Sequence, residues 1–203
     1  MTHPATTPFD LHADGDPPAD PWVVARSWLP ADDDPERPQV TLATTGADGC
    51  PDARTVLLTA FDETGFAFHT ARTSRKVAEL AADPRAALVV LWPGFTRQLV
   101  VRGGVVPDGP ADAARAWAAR SDHLRRLAWL GTDELAGLDR AGRVAGWAAD
   151  VPTGADTDPA PGWVGYRVRP VELTFWAGGV DTASRRLQYS LVEGTWRTRW
   201  LAG

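Results

Sequence analysis

The sequence predicts a mainly β protein with a few helices, its antiparallel strands forming a barrel or sandwich of six or more. Two observations carry this. Short runs with β alternation or β-branched content follow one another closely at 39–45, 53–61, 65–70, 86–92 and 97–106, joined by turn signals such as GADG at 46–49 and DETG at 62–65. Three more runs, 164–176, 186–192 and 195–201, end the chain. Helical patterns between them are few, and no G-x-G-x-x-G links a strand to a helix, so the alternation of a βαβ fold is missing.

The other elements follow in order. Residues 1–19, rich in Pro, Asp and Thr, read as a disordered tail ahead of a single domain over 20–203. DPWVVARSWL (20–29) reads as a short amphipathic helix, stopped by Pro30 and an acidic loop. The loop's Asp32, Asp33 and Asp34 have no second carboxylate cluster at ligand spacing, so they read as solvated and no metal is expected. SRKVAELAA (74–82) forms a second helix with Thr73 or Ser74 as N-cap and Asp83-Pro84 as its stop. A single longer helix is expected over 110–129, with Ala113, Trp117, Leu124 and Leu127 on one face. His123, in the charged run SDHLRR, reads as a surface histidine rather than an acid–base group. The stretch 131–162 reads as part helix, then a Gly/Pro/Asp-rich loop that could serve as a lid.

Composition narrows the function. The chain has 203 residues, a net charge of −5, and 44% hydrophobic residues, enough for one real core. A lone cysteine, Cys50, excludes a disulfide framework and a cysteine-built zinc site. No apolar run approaches the roughly 18 residues of a membrane span, and the first residues lack the basic and apolar regions of a secretory signal. A cytoplasmic protein with no membrane partner is expected. The net acidity, with Arg interleaved among Asp and Glu, argues against a nucleic-acid partner. Of the 21 basic residues only Lys76 is a lysine.

That lysine lies in the most informative stretch. Arg54 opens a hydrophobic strand, RTVLLT, an unfavourable place for a guanidinium without an anion to meet. Ser74, Arg75 and Lys76 begin a helix, where free N–H groups favour an anion and cations do not belong without one. Two readings follow from the residues alone. Either these cations cradle a phosphate, or Arg75 pairs with Glu79 one turn on and Lys76 is solvated.

The order R-x-V-L-L at 54–58, G-F-x-F-x-T at 65–70, S-R-K at 74–76 and R-Q-x-x-V-x-G at 97–103 resembles the pyridoxamine 5'-phosphate oxidase family. PGWVGYRV at 161–168 and ELTFW at 172–176 are similar to its C-terminal part, so the resemblance spans about residues 20–203. It implies an FMN-binding split β-barrel, a homodimer with FMN at the subunit interface, and FMN as cofactor. Carried over, Arg54, Arg75 and Lys76 hold the FMN phosphate, with Ser74 beside them. The backbone of Thr55, Val56, Leu57 and Leu58 borders the flavin, and His69 and Thr70 stand at the cofactor. Gln98 bonds the isoalloxazine ring, a role that suits an amide carrying both donor and acceptor, and Trp176 and Arg186 complete the site.

The departures lie on the substrate side. Thr59 stands where the family has a phosphate-binding Lys. The helix positions that carry Tyr, Arg and Ser in the family read Ala116, Arg120 and Leu124. A ring-contacting Arg-Leu-His becomes Thr182, Ala183 and Ser184, and a Gln-Ser pair at FMN falls on Asp133 and Glu134. Thr59, Arg120 and Ser184 remain as candidate substrate residues. Each lost charge-assisted contact costs about 1.5–3 kcal/mol, so a pyridoxine phosphate would be held poorly. The resemblance therefore implies an FMN-dependent oxidoreductase acting on a small aromatic or heterocyclic molecule, with hydride transfer to flavin N5 and oxygen as acceptor. No catalytic side chain is assigned, because the flavin carries the chemistry. The alternatives are a genuine pyridoxine/pyridoxamine phosphate oxidase, a sibling using deazaflavin or haem, and a non-catalytic flavin-binding module.

Overall fold

The computed structural model describes residues 7–30, 38–149, 151 and 158–203, so the Asp32–Asp34 loop and the 152–157 part of the expected lid fall outside it. Among the described residues nine antiparallel strands form one sheet: β1 (Gln39–Thr45), β2 (Pro51–Leu57), β3 (Ala60–Asp62), β4 (Gly65–Ala71), β5 (Arg85–Leu91), β6 (Arg97–Pro107), β7 (Trp163–Ala177), β8 (Arg185–Val192) and β9 (Thr195–Ala202). The order runs β2-β1-β5-β6-β7-β4-β3. Strand β7 is the fork. Its first half pairs with β4, from Trp163 to Val168, and its second half with β8, from Glu172 to Ala177, while β6 runs along its other side. One long strand thus serves two neighbours in succession, and this divides the barrel.

Alternation sorts the faces. Leu42, Leu88, Leu99, Val101, Leu173, Phe175, Leu187 and Tyr189 point inward and are buried. Helix α1 (Pro21–Trp28) lies over this core, its Asp20 N-cap accepting from the Trp22 amide at 3.0 Å. Val24 and Ala25 are fully buried, Trp22 stacks on Phe66, and Trp28 meets Phe175 edge-on. Each large side chain so buried contributes about 1.5–3 kcal/mol. A bulge between Arg102 and Gly103 shifts the β6–β7 register, and Gly103 is required there because any Cβ would collide with the Arg169 carbonyl.

Four local expectations are revised. The tail is ordered over 7–19: Leu11 is buried, the Phe9 amide donates to Ser27 Oγ, and Tyr189 donates to the Pro18 carbonyl. Hydrophobes spaced among the prolines anchor it, which composition alone does not reveal. The strand expected over 53–61 splits at Leu58 and Thr59, whose amides donate to Pro38 and Ala67 respectively as the chain changes neighbours. The helix expected over 110–129 is two, α3 (Pro110–Ala118) and α4 (Asp122–Leu130), because Ser121 caps the Leu124 amide and starts a new helix. Of its expected inner face Trp117 is buried, while Leu127 remains exposed. The ambiguous stretch supplies α5 (Asp133–Gly137) and α6 (Arg140–Ala148). Among the described residues no helix is long and apolar enough to cross a membrane, and no group of His, Cys, Asp and Glu could hold a metal.

Candidate active site

The sequence-predicted residues gather in three places. The first is charged and lies where α2 (Arg75–Ala82) packs beside β1 and β2. Arg54, midway along β2, sends one guanidinium nitrogen to Thr44 Oγ1, and another to Glu79 Oε2 at 2.7 Å and Asp52 Oδ2 at 2.6 Å. Arg75 reaches Glu79 Oε1 at 2.8 Å and the same Asp52 oxygen at 3.4 Å. Glu79 itself is buried at 4% exposure and accepts from Thr44 at 2.6 Å. The Thr44 hydrogen bond outweighs burial and, with Arg54, holds its carboxyl below the usual range. Lys76 Nζ donates to Thr70 Oγ1 at 3.2 Å and to Ser74 Oγ. Burial, and then the nearby Arg54, lower the Lys76 ammonium from its ordinary value.

The two readings of this stretch are thus both visible. Arg75 does pair with Glu79 one turn on, yet Lys76 is not simply solvated, since it sits part-buried beside Arg54. The donor set fits the FMN phosphate: two guanidiniums, an ammonium, the Thr70 and Ser74 hydroxyls, and a helix N-terminus that Ser74 leaves without a side-chain cap. The backbone of Thr55, Val56 and Leu57 runs on from Arg54 along β2, opposite Thr41, Val40 and Gln39.

The second place is a row across β6, β7 and β8. Gln98 pairs with Trp176, and Trp176 with Arg186. Directly paired residues share a face, and their chain neighbours Leu99, Phe175 and Leu187 point into the core. The row therefore faces away from the core. Arg186 reaches the Ala202 carbonyl at 3.3 Å. Thr70 aligns with Val164 near the start of β7, whereas Trp176 is near its end. Twelve positions of strand, about 40 Å of contour, separate them.

The third place is packed and mixed in character. His69 follows β4 alternation to the face opposite Thr70 and does not join the cradle. Its ring stacks on Trp163, and its Nδ1 lies 2.9 Å from Thr59 Oγ1. Thr59 also reaches the Ala67 carbonyl at 3.0 Å, so its one hydroxyl proton serves one partner at a time. His69 Nε2 lies 3.8 Å from Asp108, which also binds Arg167 at 3.2 Å. Burial pushes the His69 pKa down to about 4, against the pull of Asp108. Gly165 makes room for the ring, since a Cβ there would overlap Nε2. Arg120 lies over Trp163 at 4.6 Å and donates to the Leu124 carbonyl at 3.0 Å. A cleft of about 430 Å³ opens beside this cluster, lined by Asp108, Pro110, Ala113, Trp163 and Gly165. The larger groove, about 620 Å³ between α4, α5 and α6, includes Asp133, where the family's Gln-Ser pair falls, but none of the candidate cofactor or substrate residues. Ser184 stands apart, against Gly203 at the chain's end, and His123 is exposed beside Trp147.

Sequence reasoning missed Thr44, Asp52, Asp108 and Trp163. Glu79 was visible only as the i+4 partner of Arg75. Asp52 is two residues from Arg54 on the same strand, a spacing that placed both on one face.

Comparison with known proteins decides the family. Residues 29–151 match the family model described as pyridoxamine 5'-phosphate oxidase, and residues 163–203 match the pyridoxine 5'-phosphate oxidase C-terminal dimerisation region. The chain belongs to the pyridoxamine 5'-phosphate oxidase family. A pyridoxine/pyridoxamine 5'-phosphate oxidase of Alkalilimnicola ehrlichii is 39% identical over 165 residues, covering 79% of this chain and 84% of that one. PhzG of Burkholderia lata, solved in complex with tetrahydrophenazine-1-carboxylic acid, is similar with a TM-score of 0.73 and 28% identity, over 93% of this chain and 95% of that one. A family-related FMN-binding protein of Nostoc punctiforme shares the fold at a TM-score of 0.68 and 19% identity, over 81% and 88% of the two chains. The fold is thus the homodimeric FMN-binding split barrel, and FMN is the cofactor.

Proposed function

We propose that the protein is an FMN-dependent oxidase whose substrate is a small aromatic or heterocyclic molecule without a phosphate. The observation that carries this is Thr59. At the position that the family gives to a phosphate-binding lysine, a short hydroxyl side chain is committed to His69 and the Ala67 carbonyl. Arg120 remains, its guanidinium laid on Trp163 and lowered from its ordinary value by burial. It suits one carboxylate or a polarised ring atom better than a dianion. The ring-bearing acid bound to PhzG supports this substrate class.

In this reading Arg54, Arg75 and Lys76 fix the phosphate, and the strand backbone 55–57 borders the flavin. Gln98, Trp176 and Arg186 form a row that faces away from the core, and in this reading they meet the flavin held by the partner subunit. Bound FMN supplies hydride acceptance at N5 and reoxidation by oxygen. The protein's part is to bind, orient and exclude water. A cytoplasmic location belongs to the same reading.

The test is turnover by the purified flavoprotein with oxygen, following peroxide, across reduced heterocyclic acids and pyridoxine 5'-phosphate. Oxidation of a phosphate-free heterocycle with little response to pyridoxine phosphate is the expected result. Efficient turnover of pyridoxine phosphate would instead establish the second reading, a genuine pyridoxine/pyridoxamine phosphate oxidase, which the 39% identical relative favours. Flavin binding with no turnover of any substrate would leave the non-catalytic module.

A further inference from the structure

In the cradle, one oxygen does what a phosphoryl oxygen would do. Asp52 Oδ2 lies 2.6 Å from Arg54 and 3.4 Å from Arg75, between two guanidiniums that otherwise have nothing in common but Glu79. The two carboxylates differ in kind. Glu79 is buried, its Oε2 tied to both Thr44 and Arg54, and it approaches Arg54 from the α2 side. Asp52 is on the strand that carries Arg54, with 30% of its side chain exposed, and its ion-pair partners among the described residues are those cations.

We propose that Asp52 is an internal competitor of the FMN phosphate, occupying the Arg54–Arg75 bridge until the cofactor displaces it, whereas Glu79 is the positioning carboxylate that aims Arg54. The inference rests on the assignment of this cluster to the FMN phosphate. Three cations, Arg54, Arg75 and Lys76, face two carboxylates, leaving one net positive charge for an anion that carries about two. Asp52 must swing out, or remain as a like charge beside the phosphate. In either case part of the binding free energy is spent on it, and the riboflavin portion of the cofactor is unaffected.

The experiment titrates the full-length, flavin-stripped dimer with FMN and with riboflavin, following quenching of flavin fluorescence. Asp52→Asn keeps the shape and removes the charge. It should tighten FMN about three- to tenfold and leave riboflavin unchanged, and Asp52→Ser should do the same. Glu79→Gln removes a charge equally but loosens Arg54, so FMN should weaken. Opposite signs separate positioning from bulk electrostatics, which would tighten FMN in both. An Asp52→Asn protein that binds FMN no better, or gains equally for riboflavin, overturns the competitor role. Failure of Arg54→Ala to weaken FMN relative to riboflavin would overturn the phosphate assignment beneath it.

Discussion

The cradle and the Trp163 cluster are built from opposite materials, and in the proposed reading the first keeps the family's chemistry while the second has changed it. Around Arg54 every partner is charged or a hydroxyl, and the geometry is set by ion pairs on β1, β2 and α2. Around Trp163 the polar groups are sandwiched between rings: His69 on one face, Trp117 edge-on, and Arg120 over the π system. Charge density of the first kind suits an anion. The second kind, one cation on an aromatic with an orphaned histidine nitrogen behind it, suits the flat molecule proposed above.

Packing should be the larger lever on the second cluster. Trp117 is 1% exposed and supports Trp163 edge-on. Trp117→Ala should cost about 3–5 kcal/mol of stability by denaturant unfolding. The folded fraction should keep its FMN affinity if the two regions are independent. A joint loss would show that the cradle leans on the cluster.

Acidity should also separate them. Burial lowers His69 to about 4 from an unfolded value near 6.5, so the folded protein keeps it neutral while the unfolded chain takes up a proton. Its contribution is constant above about pH 6.5 and becomes increasingly unfavourable as pH falls towards 4, up to about 3 kcal/mol in all. Asp108 and Asp112 pull the value up, Arg120 and Arg167 push it down, and burial is the largest cause. The measurement is unfolding free energy at pH 7 and 4.5 for wild type and His69→Phe. Wild type should lose more over that interval, and equal slopes would remove His69 from the account.

For the cradle, Arg54→Ala removes a charge-assisted contact to an anion. FMN affinity should fall about 10- to 100-fold, with riboflavin little changed. A comparable fall for both flavins would mean that Arg54 supports the barrel rather than the phosphate.

How far the sequence showed these two regions differs in the same way. The strands, their turns and the α2 start could be read because alternation and N-terminal signals are local. So could Arg54, Arg75 and Lys76, because a cation in an apolar strand or at a helix start is conspicuous within a few residues. The neutralising side of the cradle was less visible, since Thr44 is an ordinary strand residue until β1 and α2 are packed together. His69 was placed at the cofactor with Thr70, but adjacent strand residues point to opposite faces, and only the pairing of β4 with β7 shows which one meets α2. Asp108 and Trp163 come from a loop and a strand start 55 residues apart, and no local pattern joins them. The break between α3 and α4 was hidden because Ser121 reads equally well as a helix interior residue or a cap.

Thr59 gives the smallest effect and the sharpest test of the comparison. Thr59→Val keeps the volume and removes the hydroxyl from His69 Nδ1, and should cost only about 1 kcal/mol, because the ring retains its stacking on Trp163. Thr59→Lys asks whether the second region is one residue away from binding a phosphate. It places an ammonium beside a histidine that burial keeps neutral, with Ala116 and Leu124 still unable to donate to an anion. Inhibition by pyridoxine 5'-phosphate should therefore improve by less than about tenfold, because one new charge-assisted contact must offset its own desolvation. A larger gain would mean that the pocket around Trp163 has kept the shape of a phosphate ester and lost only its charge.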